Sequence, residues 1–500
     1  MLFFLSKFKE KDMEEIQNLS NEVDVRKNKI KELKAMGEIP YKSKFDCTCT
    51  IKEAREKVGE KVKVAGRIVF RRIMGKFGFM QIRNIESKIQ VSVGRNEIDE
   101  KDYEFYKKMI DIGDFVGVEG EVYTTQTGEV TVRAESVTLL SKAMRPLPEK
   151  FHGLTDTESK YRQRYLDLIS NEDARKVFLA RSKVCSIIRR TLEDNGFLEV
   201  ETPILQTNIS GASAKPFFTK HNALDLECNL RIAFETWLKM CSAGGFDRVF
   251  ELGKDFRNEG MDFQHLQEFT QVEWYAAYWD FEDNIVFFKN LVRKLLMETI
   301  GTTKVNYQGH ELDFGKDKWE RINYAERMRE VLGFDYLDIT DVNEFKKKVV
   351  NAGIFKMDEL DECKSVRTLI DFIYKRKIRA GLVGPTILYN YPSVLKTLAR
   401  RNDKDSRVVD VFQVVACGVE MCNAYSELID PIVQRETLEE QLVEKAQGDD
   451  ETMDVDEDFL LAMEHGMPPM SGLGFGIDRF LMFLYDLPNI RDAVLFPIMK

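Results

Sequence analysis

The sequence predicts an α+β protein: a small β-barrel, then a larger domain in which hairpins and helices surround an antiparallel sheet. Two patterns carry that expectation. Between about 60 and 140, apolar residues recur with period two in short runs broken by glycines: Val62 and Val64; Met80 and Ile82; Ile89, Val91 and Val93; Val116, Val118 and Val122; Val130 and Val132. About five such strands, each with one face to bury, close into a small barrel. Farther along, Phe256-Arg257-Asn258-Glu259 leads through a short loop to a second alternating run, Phe269 to Tyr275. Phe269, Gln271, Glu273 and Tyr275 share one side of that strand and Thr270, Val272 and Trp274 the other, so the hairpin presents one polar, charged face.

In chain order, residues 1–55 form a charged helical extension in which Val25 to Met36 mixes both signs until Gly37 and Pro40 stop the helix. Without a lysine-rich block, it reads as a solvated helix rather than an RNA-contacting arm. Residues 56–142 are the barrel. Opposite its apolar set lie Phe77, Phe79 and Gln81, then Gln90 and Ser92, then Glu129 and Thr131, a face suited to stacking on an unpaired base and reading its edges. Residues 143–160, with Pro146 and Pro148, are a linker. Residues 161–500 are the second domain, opening with an amphipathic helix from Ala174 to Asn195 (Val177, Val184, Ile187, Ile188 and Leu192 apolar) that Gly196 ends. Residues from about 282 to 400 are mostly helical in pattern. The acidic run Asp449 to Asp458 reads as a solvated loop, since its charge blocks lack ligand spacing.

Bulk properties exclude several classes. Five hundred residues at 43% hydrophobic content support two or three domains with cores. A net charge of -10 argues against a generic nucleic-acid coat, so RNA contact must use local basic patches such as Arg67 to Lys76, which includes Arg71 and Arg72, or Lys160 to Arg164. The eight cysteines include no Cys-x-x-Cys pair and only five histidines accompany them, which favours reduced thiols over a zinc site. Leu2 to Leu5 is too short for a signal-peptide core, and Glu10, Asp12, Glu14 and Glu15 spoil a transit peptide. With no run of about eighteen apolar residues to span a membrane, the expected location is the cytoplasm.

A face carrying Arg257, Glu259, His265, Phe269 and Glu273 suits an adenine nucleotide, with an aromatic for the base, a carboxylate for its amino group and cations for phosphates. A partly exposed hairpin with surface ion pairs is the plainer alternative. A second segment, Ser471-Gly-Leu-Gly-Phe-Gly-Ile-Asp-Arg479, removes side chains where a backbone must approach a ligand and delivers an arginine as a helix begins. With Gly196-Phe-Leu-Glu-Val-Glu-Thr-Pro203 upstream, these resemble the three ordered motifs of class II aminoacyl-tRNA synthetases. Longer stretches, among them Arg145 to Leu154, Lys160 to Ile169, Lys220 to Leu226, Cys422 to Leu428 and Ile490 to Pro497, resemble class II lysyl-tRNA synthetases.

That resemblance implies an OB-fold barrel that binds the anticodon through Arg71, Arg72, Phe79, Gln90 and Glu129, and a class II catalytic domain. It implies an ATP-dependent lysine-tRNA ligase acting on lysine, ATP and tRNA(Lys), using Mg2+ with ATP, and a homodimer built on the first motif. Arg257 matches the arginine bridging carboxylate and α-phosphate and Arg479 the one packing on the nucleotide, the two candidate catalytic groups. Phe269 matches the residue stacking on adenine, Glu259 the one at its amino group, and His265 a loop residue near the outer phosphates. A buried lysine ammonium needs a carboxylate and a hydroxyl, and Glu427 and Tyr275 match that pair. Gly211 and Glu235 match the α-amino contacts, Asn423 matches a residue near the carboxyl end, and Arg257 and Glu273 complete the lysine site. Glu420 matches a metal ligand, and its usual acidic companion is Gln413 here. The chain departs from the family further at Phe234, where a proline is usual, and at Leu266-Gln267, where Asn-Pro is usual. In strand parity Glu420 does not share a face with Asn423, Tyr425 and Glu427, so a bulge must bring them together. An aspartyl or asparaginyl enzyme, a truncated paralogue that lysylates a protein, and a non-catalytic RNA-binding relative are the competing expectations.

Overall fold

The computed structural model describes residues 20–148, 156–446 and 455–500, with no account of side chains at 442–446. The terminal segment Leu2 to Glu15, the Lys150 to Leu154 end of one quoted motif, and the Asp449 to Glu451 block lie outside the described residues. The chain divides into two compact units, Met1–Asn171 and Glu172–Lys500.

In the first unit, a helix over residues 20–35 precedes five strands: β1 (Lys61–Met74), β2 (Phe77–Arg83), β3 (Lys88–Gly94), β4 (Phe115–Thr124) and β5 (Val130–Ser141). They close in the order β1-β2-β3-β5-β4, antiparallel except for β3 beside β5. The period-two apolar residues fill the interior, joined by Tyr103 and Tyr106 from the helix Glu100–Met109. The expected polar face needs one correction. Ser92 and Thr131 are fully buried, because Tyr123 lies across them, its hydroxyl 3.3 Å from Ser92 Oγ, while Gln90 Nε2 donates to Thr131 Oγ1 at 3.0 Å. The short helices Thr157–Arg162 and Arg164–Ser170 fall within this unit.

The second unit is built on an eight-stranded sheet in the order Glu320–Asn323, Thr386–Pro392, Val408–Ala416, Val419–Ser426, Met470–Gly476, Glu268–Ala277, Arg248–Phe256, Leu198–Glu199. Each edge strand pairs parallel with its neighbour and every other pairing is antiparallel. The helices Glu172–Asp194, Phe281–Ile300 and Ile477–Tyr485 supply the core, with Val184, Ile188 and Leu192 packed in one cluster with Trp274, Phe288 and Phe475. A buried polar chain crosses this core: Trp274 Nε1 donates to Asn284 Oδ1 at 2.8 Å and Asn284 Nδ2 to Ser471 Oγ at 2.6 Å. The stretch expected to be mostly helical is interrupted by strands. Residues 304–313 contain a hairpin, and the strands at 320–323 and 386–392 extend the main sheet.

Candidate active site

The charged hairpin, Arg248–Phe256 with Glu268–Ala277, pairs Asp255 with Phe269 and Glu251 with Glu273 and forms one wall of a cleft of about 550 Å³. Arg257 leaves the first strand tied by its backbone N–H to Gln267 O at 2.8 Å, and its guanidinium stands 5.1 Å from the centre of the Phe269 ring. Gln267, in the loop where the family places a proline, holds the turn differently: its side-chain amide donates to the carbonyl of Glu259 at 2.8 Å. Glu259 and His265 sit exposed at the cleft mouth, His265 Nδ1 2.8 Å from the Asp262 carboxylate. Arg479 enters the cleft from the first turn of the helix that follows Met470–Gly476, its Nη1 donating to the backbone carbonyl of Glu420 at 3.2 Å.

The deeper end is acidic. Glu235, on the first turn of the helix Glu235–Ala243, Glu273 on the hairpin and Glu427 just past the strand Val419–Ser426 are all buried and all line the cleft. Lys239, one turn on from Glu235, lies with its Nζ 2.6 Å from Glu235 and 2.5 Å from Glu427. Burial raises the Glu427 carboxyl, with Lys239 opposing, and it holds Glu273 well above the ordinary range, helped by the neighbouring Asp255. Asp255 itself is pushed up to about 7 by burial, Arg231 and Arg257 opposing. One oxygen of Glu273 accepts from Gln271 at 2.9 Å, and the other is buried with no partner among the described residues. A buried carboxyl oxygen left unpaired favours a ligand that brings a hydrogen-bond donor to it. Gly472 lets Tyr275 and Glu427 pack close against its strand, since a Cβ there would collide with the Tyr275 ring and stand 2.7 Å from Glu427. Gly211 reaches the same pocket at φ +84°, a backbone conformation in which a side chain is strained.

Glu420 joins Asn423, Tyr425 and Glu427 because the pairing of Val408–Ala416 with Val419–Ser426 slips between Val414 and Val415, opposite Cys422 and Glu420. This is the bulge that strand parity requires. Gln413 is corrected as a metal ligand. Its carbonyl accepts from the Tyr391 hydroxyl at 2.6 Å and its amide nitrogen donates to Glu420 at 2.7 Å, an orientation fixed by the acceptor-only carboxylate. Asp410 offers no replacement, since Asn402 and Arg400 hold it at 2.6 and 3.1 Å away from the cleft. Among the described residues no group of three or more His, Cys, Asp or Glu is arranged to hold a metal ion. One carboxylate beside an amide N–H does not fit a protein-held Mg2+, which takes oxygen ligands in octahedral geometry.

Every residue expected at the nucleotide and amino-acid sites lines this one cleft. Lys239, buried behind the cleft wall, lies four residues after Glu235 on a helix, a spacing visible in the sequence, but no motif marks it as part of the site. Lys396 and Arg367, which also line it, lie outside the motifs, and no local pattern in the sequence marks them. On the barrel, Arg72 is exposed while Arg71 turns inward, donating to the carbonyl of Lys107 at 3.0 Å. Phe79 and Gln90 are half-buried, Phe79 in edge contact with Phe77 at 4.9 Å, and Glu129 lies 3.4 Å from Arg55.

Comparison with known proteins accords with this geometry. The family of class II tRNA synthetases (D, K and N) matches residues 156–500, and the OB-fold nucleic acid binding domain matches residues 62–140. A lysine-tRNA ligase of Staphylococcus epidermidis is 41% identical over 97% of this chain and 99% of its own length. One of Lysinibacillus sphaericus is 41% identical over 98% and 99%, and one of Bacillus cytotoxicus 40% identical over 97% and 98%. Matched over its sheet, its barrel and nearly its whole length, the chain belongs to the class II tRNA synthetases, an OB-fold domain followed by the class II catalytic domain.

Proposed function

We infer that this enzyme is a lysine-tRNA ligase, and one observation carries the choice of amino acid. Glu235, Glu273 and Glu427 converge at the buried end of the cleft with one ammonium, that of Lys239, between two of them. Lysine brings two ammonium groups against one carboxylate and so adds a positive charge beside these carboxyl groups, whereas aspartate adds a negative one and asparagine none.

In the first step a carboxylate oxygen of lysine attacks the α-phosphorus of ATP. A P–O bond forms, the bond to the bridging oxygen breaks, and pyrophosphate leaves with the electron pair. Bringing two anions together is the main barrier, and Arg257 and Arg479 hold carboxylate and phosphate at its two sides. Phe269 stacks on adenine, Glu259 accepts from its amino group and His265 meets the outer phosphates. Glu427 and Tyr275 bind the side-chain ammonium, Glu235, Glu273 and the Gly211 backbone bind the α-amino group, and Asn423 lies near the carboxyl end. The terminal ribose hydroxyl of tRNA then attacks the acyl carbon, the bond from that carbon to the phosphate oxygen breaks, and AMP departs with the electron pair as the hydroxyl proton passes to its phosphate. Mg2+ takes part as the ion ATP brings with it, and no step here depends on a metal held by the protein.

The barrel at 56–142 reads the anticodon of tRNA(Lys), while 161–500 carries the chemistry. Exposed Leu198, Ile204 and Leu205 beside a sheet edge support a homodimer interface at the first motif. No described helix is long and apolar enough to cross a membrane, and the cytoplasm is the proposed location. Charging of unfractionated tRNA with radiolabelled lysine, aspartate and asparagine tests the reading: lysine alone should be incorporated, and preferential incorporation of either competitor would refute it.

A further inference from the structure

Lys396 follows the strand Thr386–Pro392 and the short turn Ser393–Leu395, and it points into the same cleft. Its segment is pinned beside the lysine pocket, with Leu428 N–H donating to Leu398 O at 3.1 Å and Ala399 bridged to Glu427. The ammonium donates to Asn423 Oδ1 at 3.2 Å, and Asn423 in turn accepts from Gln413, whose amide also donates to Glu420. Burial holds the ammonium below its ordinary value while Glu420 pulls it back. Arg367, on the helix Val366–Lys377, also lines the cleft, and its Nη1 is buried with no partner among the described residues. Thus the part of the cleft where a second metal-binding carboxylate is expected holds an amide and gains a lysine.

Resting on the lysine reading above, we propose that Lys396 is a third catalytic cation of the activation step: its ammonium contacts the anions where the lysine carboxylate meets the α-phosphate, doing the electrostatic work of a second, protein-held divalent ion. It moves no proton. As the carboxylate–phosphorus bond forms and the bridging P–O bond breaks, it offsets charge gathering on the phosphate oxygens, a role that Asn423 fixes in place. Asn423 and Gln413 are neutral, so Glu420 is the one anion in this hydrogen-bonded group.

The test is lysine-dependent ATP–pyrophosphate exchange across a Mg2+ titration for the full chain, Lys396→Met, Lys396→Arg, and the double variant Lys396→Met/Gln413→Glu, with thermal melts to verify folding. Lys396→Met should lower kcat roughly a hundredfold while the KM for lysine moves less than about threefold, and Lys396→Arg should keep most of the rate. The double variant, with its second carboxylate, should recover about tenfold of the loss at high Mg2+, with a steeper metal dependence. A folded Lys396→Met enzyme with kcat within about twofold of wild type, or one that loses only lysine affinity, would overturn the proposal. So would a double variant whose Mg2+ curve matches that of the single. A wild-type chain with no lysine-dependent exchange would instead refute the lysine reading itself.

Discussion

Glu427 is held from two directions, by Lys239 at 2.5 Å and by the Gly472 N–H at 3.1 Å. Replacing it by glutamine leaves the shape and removes the charge, so a substrate ammonium and Lys239 then share one fewer anion. Glu427→Gln should weaken lysine binding by about 2–5 kcal/mol while ATP binding hardly changes. Isothermal calorimetry measures both, and an unchanged lysine affinity would remove Glu427 from the pocket. Asp255 gives a pH prediction. Its folded value of about 7 lies above the ordinary 3.8, so the native state keeps a proton that the unfolded chain releases, and stability falls as pH rises from about 4 to about 7. Asp255→Asn removes that dependence. Its stability relative to wild type should therefore improve between about pH 5 and about pH 8 in urea unfolding. A difference that stayed constant across those two conditions would count against the buried, raised carboxyl. At this scale the motif residues could be read because their types and spacings are local. Lys396 could not, since only the long-range pairing of 386–392 with 408–416 brings it to Asn423.

Among the elements, the barrel strands and the charged hairpin were legible because one buried face imposes a period of two. Ser92 and Thr131 escaped that logic, as a side chain from a neighbouring strand, Tyr123, covers them after folding. The hairpin at 304–313 and the strand at 320–323 are not legible in the sequence because runs of four residues are too short for periodicity to separate from helix. The bulge at Val414 was required by strand parity, although its partner residue was not identifiable from sequence. Phe79, half-buried on the barrel's polar side, tests the element's role. Phe79→Ala should weaken tRNA charging by roughly 1–3 kcal/mol in apparent tRNA affinity and leave pyrophosphate exchange intact. Equal losses in both assays would make Phe79 a folding residue instead.

At the scale of the whole molecule, a net charge of -10 means that tRNA must be engaged through local patches, and binding should weaken steeply with salt. The exposed apolar residues Leu198, Ile204 and Leu205 predict a dimer in sedimentation equilibrium, shifted toward monomer by Leu205→Asp, and a monomeric wild-type chain would contradict it. The family and the two-part architecture were legible because the motifs occur in order along one chain. The charge balance of the cleft was not, because it depends on how many buried carboxylates the Lys239 ammonium must serve, which becomes visible once Glu235, Lys239, Glu273 and Glu427 are brought together. That balance is the central claim, and ATP–pyrophosphate exchange measured with each of the standard amino acids in turn tests it most directly. Exchange that depends on lysine and is absent with aspartate and asparagine is the predicted result; exchange supported equally well by an anionic or uncharged amino acid would contradict it.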